Sequence, residues 1–131
     1  MYAVVRIRSI IDASREIRDT LKMLNLHKVN SCTIIIPNDS YKGMLQKVKD
    51  YVTWGEIDEE TLRLLIEKRT KIKNADEAIE KLKKGERIKE VRYIRLHPPR
   101  KGYEGIKKPY SIGGANGYRG RDINDLIRRM I

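Results

Sequence analysis

The residues best suited to chemistry lie between positions 95 and 121, in the stretch RLHPPRKGYEGIKKPYSIGGANGYRGR. This stretch holds seven of the 29 Lys and Arg residues, six of the nine Gly residues and a single acidic residue, Glu104. Tyr103, Tyr110 and Tyr118 are spaced along it. Interleaved positive charge, aromatic faces and glycine backbone favour contact with a folded polyanion. Nucleic acid is therefore the first hypothesis for a partner.

The excess of positive charge is concentrated toward the C-terminal end of the chain. The 131 residues carry a formal net charge of +11. Residues 92–131 contain ten basic and three acidic residues, against ten and nine in residues 58–91 and nine and six in residues 1–57. This asymmetry predicts strong, salt-dependent attraction to phosphate polymers, and a merely soluble basic surface is the alternative.

Catalytic and metal chemistry are poorly supported by the sequence. Cys32 lies in an apolar run, and neither His27 nor His97 has a recognisable partner that would orient it for nucleophilic catalysis. Two histidines and one cysteine also lack the close ligand spacings of zinc sites. The glycines within 113–120 resemble a phosphate-cradling loop, but no Lys-Ser or Lys-Thr pair follows them. We therefore predict no enzyme activity, metal, cofactor or small-molecule substrate.

The cellular setting is predicted from the same composition. A single cysteine fits a reducing compartment. No run of 18 apolar residues suggests a membrane span, and the start, MYAVVRIRSI, lacks the long apolar region of a signal peptide. These features predict a cytoplasmic protein with no membrane partner.

The elements that must position the basic residues alternate between strand and helix. Apolar periodicity predicts strand 2–8, helix 17–24, strand 32–36, helix 41–48 and strand 51–57, which is the order β-α-β-α-β. In the first strand Ala3, Val5 and Ile7 are expected to face a core, with the opposite side mainly uncovered. Asn38, Asp39 and Ser40 offer capping oxygens to the second helix, and Asn25 is expected to end the first helix in a left-handed cap.

The remainder of the chain is predicted to be helical around one short strand. Asp58 and Asn74 are expected to begin two helices, and Gly85 is expected to end the second of them. A strand at 91–96 leads into the basic stretch, and the last helix carries a clean apolar stripe. We divide the single domain into an RNA-binding core at 1–57, peripheral helices at 58–91 and a basic Gly-rich extension at 92–131. Because the apolar core stripes are separate from the charge of the extension, removing residues 97–120 and joining the flanks by a neutral linker is expected to leave the core folded and to weaken RNA binding.

Candidate RNA-binding residues come mostly from the extension. They are Arg95, His97, Arg100, Lys101, Tyr103, Lys107, Lys108, Tyr110, Tyr118, Arg119 and Arg121. The segment His97-Pro98-Pro99-Arg100 should be stiff and lose little entropy on docking. The tyrosines are expected either to stack on unpaired bases or to pack on the domain. A smaller basic patch is predicted from Arg6, Arg8, Lys28, Asn30 and Lys42, and ordinary scattered surface charge is its alternative.

Five long blocks, in order, resemble one protein family. They are MYAVVRIRS, DTLKMLNLHKVNSC, YKGMLQKVKDYVTWGEID, RLHPPRKGYEGIKKP and GGANGYRGRDINDLIRRM, and together they cover most of the chain. They are similar to the archaeal form of large-ribosomal-subunit protein thirty, whose eukaryotic branch is called L-seven. Archaeal members usually have a longer segment than residues 70–92 here.

The resemblance implies an α+β fold and a partner. The fold would be a β-α-β-α-β core with a three-stranded antiparallel sheet, somewhat ferredoxin-like. The protein would be a structural constituent of the large subunit that binds its ribosomal RNA beside neighbouring ribosomal proteins, with the extension following the RNA. An RNA-associated enzyme subunit and an RNA chaperone or processing factor are the alternatives.

Overall fold

The computed structural model describes residues 1–9, 13–36, 38–85, 93–100, 102–103 and 105–131, with only the backbone of 105–108. Its strands are β1 (Tyr2–Arg6), β2 (Ser31–Ile35), β3 (Val52–Glu56), β4 (Ile94–Arg95), β5 (Gly105–Pro109) and β6 (Gly114–Tyr118). Its helices are α1 (Arg15–Met23), α2 (Asp39–Lys47), α3 (Glu59–Arg69), α4 (Ala75–Lys83) and α5 (Ile123–Met130). The β-α-β-α-β order of the first five elements confirms the prediction.

Polar side chains fix where the first four helices begin. The caps are Ser14, Asn38, Asp58 and Asn74. Each side-chain oxygen accepts a hydrogen bond from the backbone N–H three residues later, which satisfies a donor that the helix itself leaves free. After α1 and α4 the chain turns at Asn25 and Gly85, whose φ angles of 60° and 86° lie in the left-handed region. The predicted starts at Asp58 and Asn74 and the predicted stops at Asn25 and Gly85 are confirmed. Of the three candidates at 38–40 the cap is Asn38, and the Ser14 cap was not predicted.

The sheet is mixed and larger than predicted. β1 pairs antiparallel with β2 on one side and with β3 on the other, and β4 pairs antiparallel with β2. β6 adds to β3 in parallel, with Thr53 opposite Gly117 and Trp54 opposite Tyr118. Within the described ranges the continuous sheet has the order β4-β2-β1-β3-β6, and β5 joins β6 through an irregular register. The sequence did not reveal β6 because GANGY is glycine-rich and has low strand propensity.

Helices cover both faces of the sheet. Helices α3, α4 and α5 pack on the face that holds Ala3, Val5 and Ile7. Helices α1 and α2 pack on the opposite face, where Val4 and Trp54 are buried. The prediction that β1 is covered mainly on one side is therefore wrong. α3 and α4 contribute buried leucine and isoleucine side chains to the larger of the two apolar clusters, so they form one wall of the core.

The end of the extension is also part of the core. The α5 stripe is fully buried, with Ile123, Leu126, Ile127 and Met130 at 0% exposure, which confirms the predicted amphipathic helix. Ala115 in β6 is buried against the same cluster. A deletion of residues 97–120 would therefore remove strand β6 from the sheet and the buried Ala115 from the core, so the structure argues against a core that stays folded after that deletion.

Candidate nucleic-acid interface

Basic residues, some exposed and some half-buried, meet beside the C-terminal end of α5. Arg69, in the last turn of α3, donates from Nε and Nη2 to the carbonyl oxygen of Arg95, at 2.8 and 2.6 Å. Its Nη1 lies 3.1 Å from Nε2 of His97. Arg95 and His97 are exposed. These contacts place Arg69 of α3 beside the start of the predicted extension.

The next part of the extension is fastened to the last carbonyl groups of α5. The backbone N–H groups of His97 and Arg100 donate to the carbonyls of Met130 and Arg129, at 2.9 and 3.0 Å. The Arg100 guanidinium also reaches the Arg128 carbonyl at 3.4 Å. Cationic groups are favourable at a helix C-terminus, where the unpaired carbonyls carry partial negative charge.

These contacts form one continuous patch, which we call the C-terminal basic surface. Its members are Arg69, Arg95, His97, Arg100, Arg128 and Arg129. Two of its arginines face acidic neighbours, since Arg128 lies 3.7 Å from a Glu60 oxygen and Arg129 lies 3.8 Å from one of Asp125. Both acidic side chains are highly exposed, so these ion pairs are weak and screened by solvent. Arg128 is the more accessible of the two arginines, because the Arg129 side chain is only 21% exposed and its Nη1 donates to the carbonyls of Arg100 and Gly102 at 3.3 and 3.2 Å.

Sequence reasoning found half of this surface. Arg95, His97 and Arg100 were predicted, whereas Arg69, Arg128 and Arg129 were not. Helix α3 has balanced charge, which concealed Arg69. The signal for the other two was present, because they are consecutive arginines in the last turn of the C-terminal helix.

Asn30 joins the smaller predicted patch to the extension. It has a left-handed φ of 67°. Its backbone N–H donates to the Arg6 carbonyl, its carbonyl accepts from the Leu96 N–H, and its side-chain oxygen accepts from the Tyr103 hydroxyl at 2.5 Å. Exposed Lys28 lies in the same turn, held by the hydroxyl of Ser31. Asn30 is thus a structural junction, and Lys28 is the outward charge beside it.

Two of the residues predicted to bind RNA, Arg6 and Arg119, lie inside the protein. Arg6 is 4% exposed and donates to the carbonyls of Arg8 and Leu26, and burial lowers the pKa of its guanidinium. Arg119 is 5% exposed; it donates to the Thr53 hydroxyl and the Ala115 carbonyl, both at 2.8 Å. Their charges face protein oxygens, so this conformation offers neither guanidinium to a phosphate. Sequence alone could not separate these arginines from the exposed ones.

The three tyrosines of the extension bind the domain through their hydroxyls. Tyr103 donates to Asn30, and burial raises its pKa. Tyr110 donates to Asp122 at 2.6 Å. Tyr118 donates to the Glu56 carboxylate at 2.5 and 2.7 Å, and this hydrogen bond is the main reason that its pKa is raised to about 12. Tyr118 nevertheless keeps 50% of its surface exposed, so its ring remains available for contact.

The other predicted residues are more dispersed. The Arg8 guanidinium lies 5.1 Å from the centre of the Tyr51 ring. Lys42 is exposed on α2, on the opposite side of the sheet from α5. Lys101 lies outside the described residues, as do the side chains of Lys107 and Lys108.

Arg121 is exposed near the beginning of α3. Burial acts to raise the pKa of the Asp58 cap there. Hydrogen bonds from Thr61 and the positive charges of Arg128 and Arg121 outweigh the effect of burial, so the pKa of Asp58 is lowered overall. Arg121 therefore contributes to a positive potential around this helix start.

Other kinds of site gain no support. Burial raises the pKa of the Cys32 thiol to about 12, so it is a poor nucleophile near neutral pH. In the part of the chain that the structure describes, no three His, Cys, Asp or Glu side chains are grouped as metal ligands. None of the described helices is both long and apolar enough to cross a membrane.

Comparison with known proteins identifies the family. Residues 2–52 match the family described as Ribosomal protein L30p/L7e. Large ribosomal subunit protein uL30 of Methanococcus vannielii is 47% identical over 152 aligned positions, covering 99% of each chain. The uL30 proteins of Thermoplasma acidophilum and Methanopyrus kandleri are each 42% identical, covering 100% and 95% of this chain and 93% and 99% of their own. The chain therefore belongs to the family of large ribosomal subunit protein uL30.

Proposed function

We propose that the protein is a structural, non-enzymatic constituent of the large ribosomal subunit, where it binds and stabilises ribosomal RNA beside neighbouring ribosomal proteins. It then acts in translation, on the ribosome and in the cytoplasm. The family carries the assignment to the subunit. The observation that supports the RNA contact is the C-terminal basic surface, which gathers cationic residues from α3, the extension and α5 on one side of the fold.

The proposed core of the protein is the β-α-β-α-β unit of β1 to β3 with α1 and α2, in which the central strand β1 is antiparallel to both of its neighbours, in the order β2-β1-β3. We propose that this unit corresponds to the ferredoxin-like core of the family. Its role is to hold the extension and α5 in register, through the Asn30 junction on one side and the β3–β6 pairing on the other.

Recognition would depend on phosphate position and RNA shape rather than on base sequence. Arginines project from a rigid helix end and from a proline-stiffened segment, so their spacing is set before binding and little side-chain entropy is lost. Charge-assisted contacts to phosphate oxygens position the protein, while carrying no sequence information. If about six such contacts form on irregular RNA, log affinity falls against log salt with a slope of roughly −4.

The test joins sedimentation to a salt titration. The protein should co-sediment with washed large subunits in stoichiometric amount, and bind their RNA with the steep salt dependence given above. The double variant Arg95→Gln, Arg100→Gln should reduce the slope by roughly 1.4. A matched control, Arg15→Gln, removes an exposed arginine from α1 on the opposite face of the sheet and should leave the slope unchanged.

Three results would contradict the proposal. A slope near zero would reject phosphate docking. Dissociation from mature subunits would favour an RNA chaperone or processing factor, and turnover of RNA or nucleotide would favour an enzyme subunit.

A further inference from the structure

A groove between α2 and β6 is lined by aromatic side chains. Two adjoining cavities of about 320 and 460 Å³ form it, and both are lined by Gln46, Trp54 and Tyr118. We propose that this groove binds one unpaired base of the ribosomal RNA, with the Tyr118 ring as the stacking surface. The inference builds on the proposed function and adds a base-binding site on the opposite side of the sheet from the C-terminal basic surface.

Tyr118 is held in a fixed orientation while half exposed. Its hydroxyl donates to both oxygens of Glu56. Its ring centre lies 6.4 Å from those of Tyr2 and Trp54, with tilts of 55° and 52°. A ring fixed at its hydroxyl and supported by two neighbouring rings loses little freedom when a base stacks on its exposed part.

Tyr110, which lines the larger cavity, is arranged in a similar way. Its hydroxyl donates to Asp122, and the Arg119 guanidinium lies 4.6 Å from its ring centre. Since the hydroxyls of Tyr110 and Tyr118 are both engaged by carboxylates, neither is suited to a phosphate. What these residues present to the groove is aromatic surface.

Charge around the groove favours a neutral group inside and phosphates at the rim. Exposed Lys42 lines the smaller cavity and exposed Lys49 the larger, and neither pairs with a carboxylate among the residues described. Asp50 also lines the larger cavity, and Glu56 holds the Tyr118 hydroxyl. A phosphate in the groove would be repelled by these carboxylates, whereas a base could lie inside with its flanking phosphates near the two lysines.

The dimensions and the strand pairing also favour a base over a peptide. The larger cavity lies within the range of roughly 300–1,000 Å³ typical of small-molecule sites. A volume of this size accommodates a single base. An extended peptide usually binds by adding to a free sheet edge, but β6 is paired on both sides, with β3 and with β5.

The experiment compares an oligoadenylate of about twelve nucleotides with an abasic ribose-phosphate chain of the same length. The wild-type protein should bind the oligoadenylate roughly 5- to 150-fold more tightly, which is the contribution of one stacked base. Tyr118→Leu should abolish the difference, and Tyr118→Phe, which keeps the ring, should retain most of it. Tyr93→Leu is the matched control, because Tyr93 is an exposed tyrosine that lines neither cavity.

A second measurement needs no variant. In wild-type protein with ¹³C-labelled tyrosine, the Tyr118 ring resonances should shift on adding oligoadenylate but not the abasic chain, while those of Tyr93 stay in place. Equal affinity for the two chains, or an unshifted Tyr118, would overturn the proposal. So would a Tyr118→Leu variant that keeps the preference for bases.

The same preparations separate this proposal from the one on which it rests. If the wild-type protein binds large-subunit RNA with a steep salt slope but shows no preference for oligoadenylate, the groove proposal fails and the ribosomal role stands. If it does not bind large-subunit RNA at all, the proposed function itself fails.

Discussion

Gly55 in β3 lies against the carbonyl oxygen of Gly120, so closely that a β-carbon at position 55 would be 1.8 Å from that oxygen. Only glycine allows the turn after β6 to approach the strand in this way. Next to this contact, the Arg119 N–H donates to the Trp54 carbonyl at 2.9 Å. The approach is therefore one of the places where the extension is fixed to the core.

Gly55→Ala should destabilise the protein by about 1–3 kcal/mol or more, because the colliding atom belongs to the backbone and cannot move away as a side-chain end could. Chemical denaturation would measure the loss. An unchanged unfolding midpoint would show that the turn and β3 are not in contact in solution.

Gly43→Ala is the matched glycine substitution and should have the opposite sign. Gly43 lies inside α2, and an added β-carbon meets nothing within 4 Å. Alanine should stabilise the protein by roughly 0.5–1 kcal/mol, because it restricts the unfolded chain and suits a helix better. A destabilising result in the same denaturation assay would mean that α2 is not an ordinary helix at this position.

Arg119→Met should lower stability with little effect on RNA affinity. The substitution leaves the Ala115 carbonyl and the Thr53 hydroxyl without their buried donor, a loss of about 1–3 kcal/mol. Unfolding measurements and the salt slope of RNA binding should be collected on the same preparation. A normal midpoint with a reduced slope would show that Arg119 contacts phosphate directly.

Arg121→Met, two residues from Arg119, should weaken RNA binding with little effect on stability. Arg121 is exposed, so stability should change by less than about 0.5 kcal/mol. The slope should fall by roughly 0.7 if its guanidinium contacts one phosphate. Loss of stability without any change in slope would exclude Arg121 from the interface.

Local signals in the sequence were sufficient for most elements of this fold. Asn38, Asp58 and Asn74 begin helices because their side-chain oxygens satisfy free N–H groups, and that chemistry depends only on neighbouring residues. The strand β6 depends instead on a distant partner, since its glycine-rich residues are held by pairing with β3. Periodicity cannot report such a contact.

The interface was predicted less completely for a related reason. Composition shows which segment is basic, but not which guanidinium groups the fold buries. Arg119 and Arg121 are indistinguishable by type and position, yet one binds Thr53 inside the protein and the other is exposed. Arg69 was missed because its place in the C-terminal basic surface is set by a contact with Arg95, 26 residues away.

The hydrogen bond from Tyr118 to Glu56 should be visible as a pH effect. A tyrosine titrates near pH 10 when unperturbed, and this hydrogen bond is the main cause that raises the pKa of Tyr118 to about 12. Because the folded-state pKa lies above the unfolded value, the stabilisation is fully present below pH 10 and is lost as pH rises from about 10 to 12.

In Glu56→Gln the pKa of Tyr118 should move back toward 10. A ¹³C titration of the ring, with Tyr118→Phe to assign the resonance, would measure both values. Titration near pH 10 in the wild-type protein would show that Tyr118 is not anchored, and the groove would then lack its fixed stacking surface.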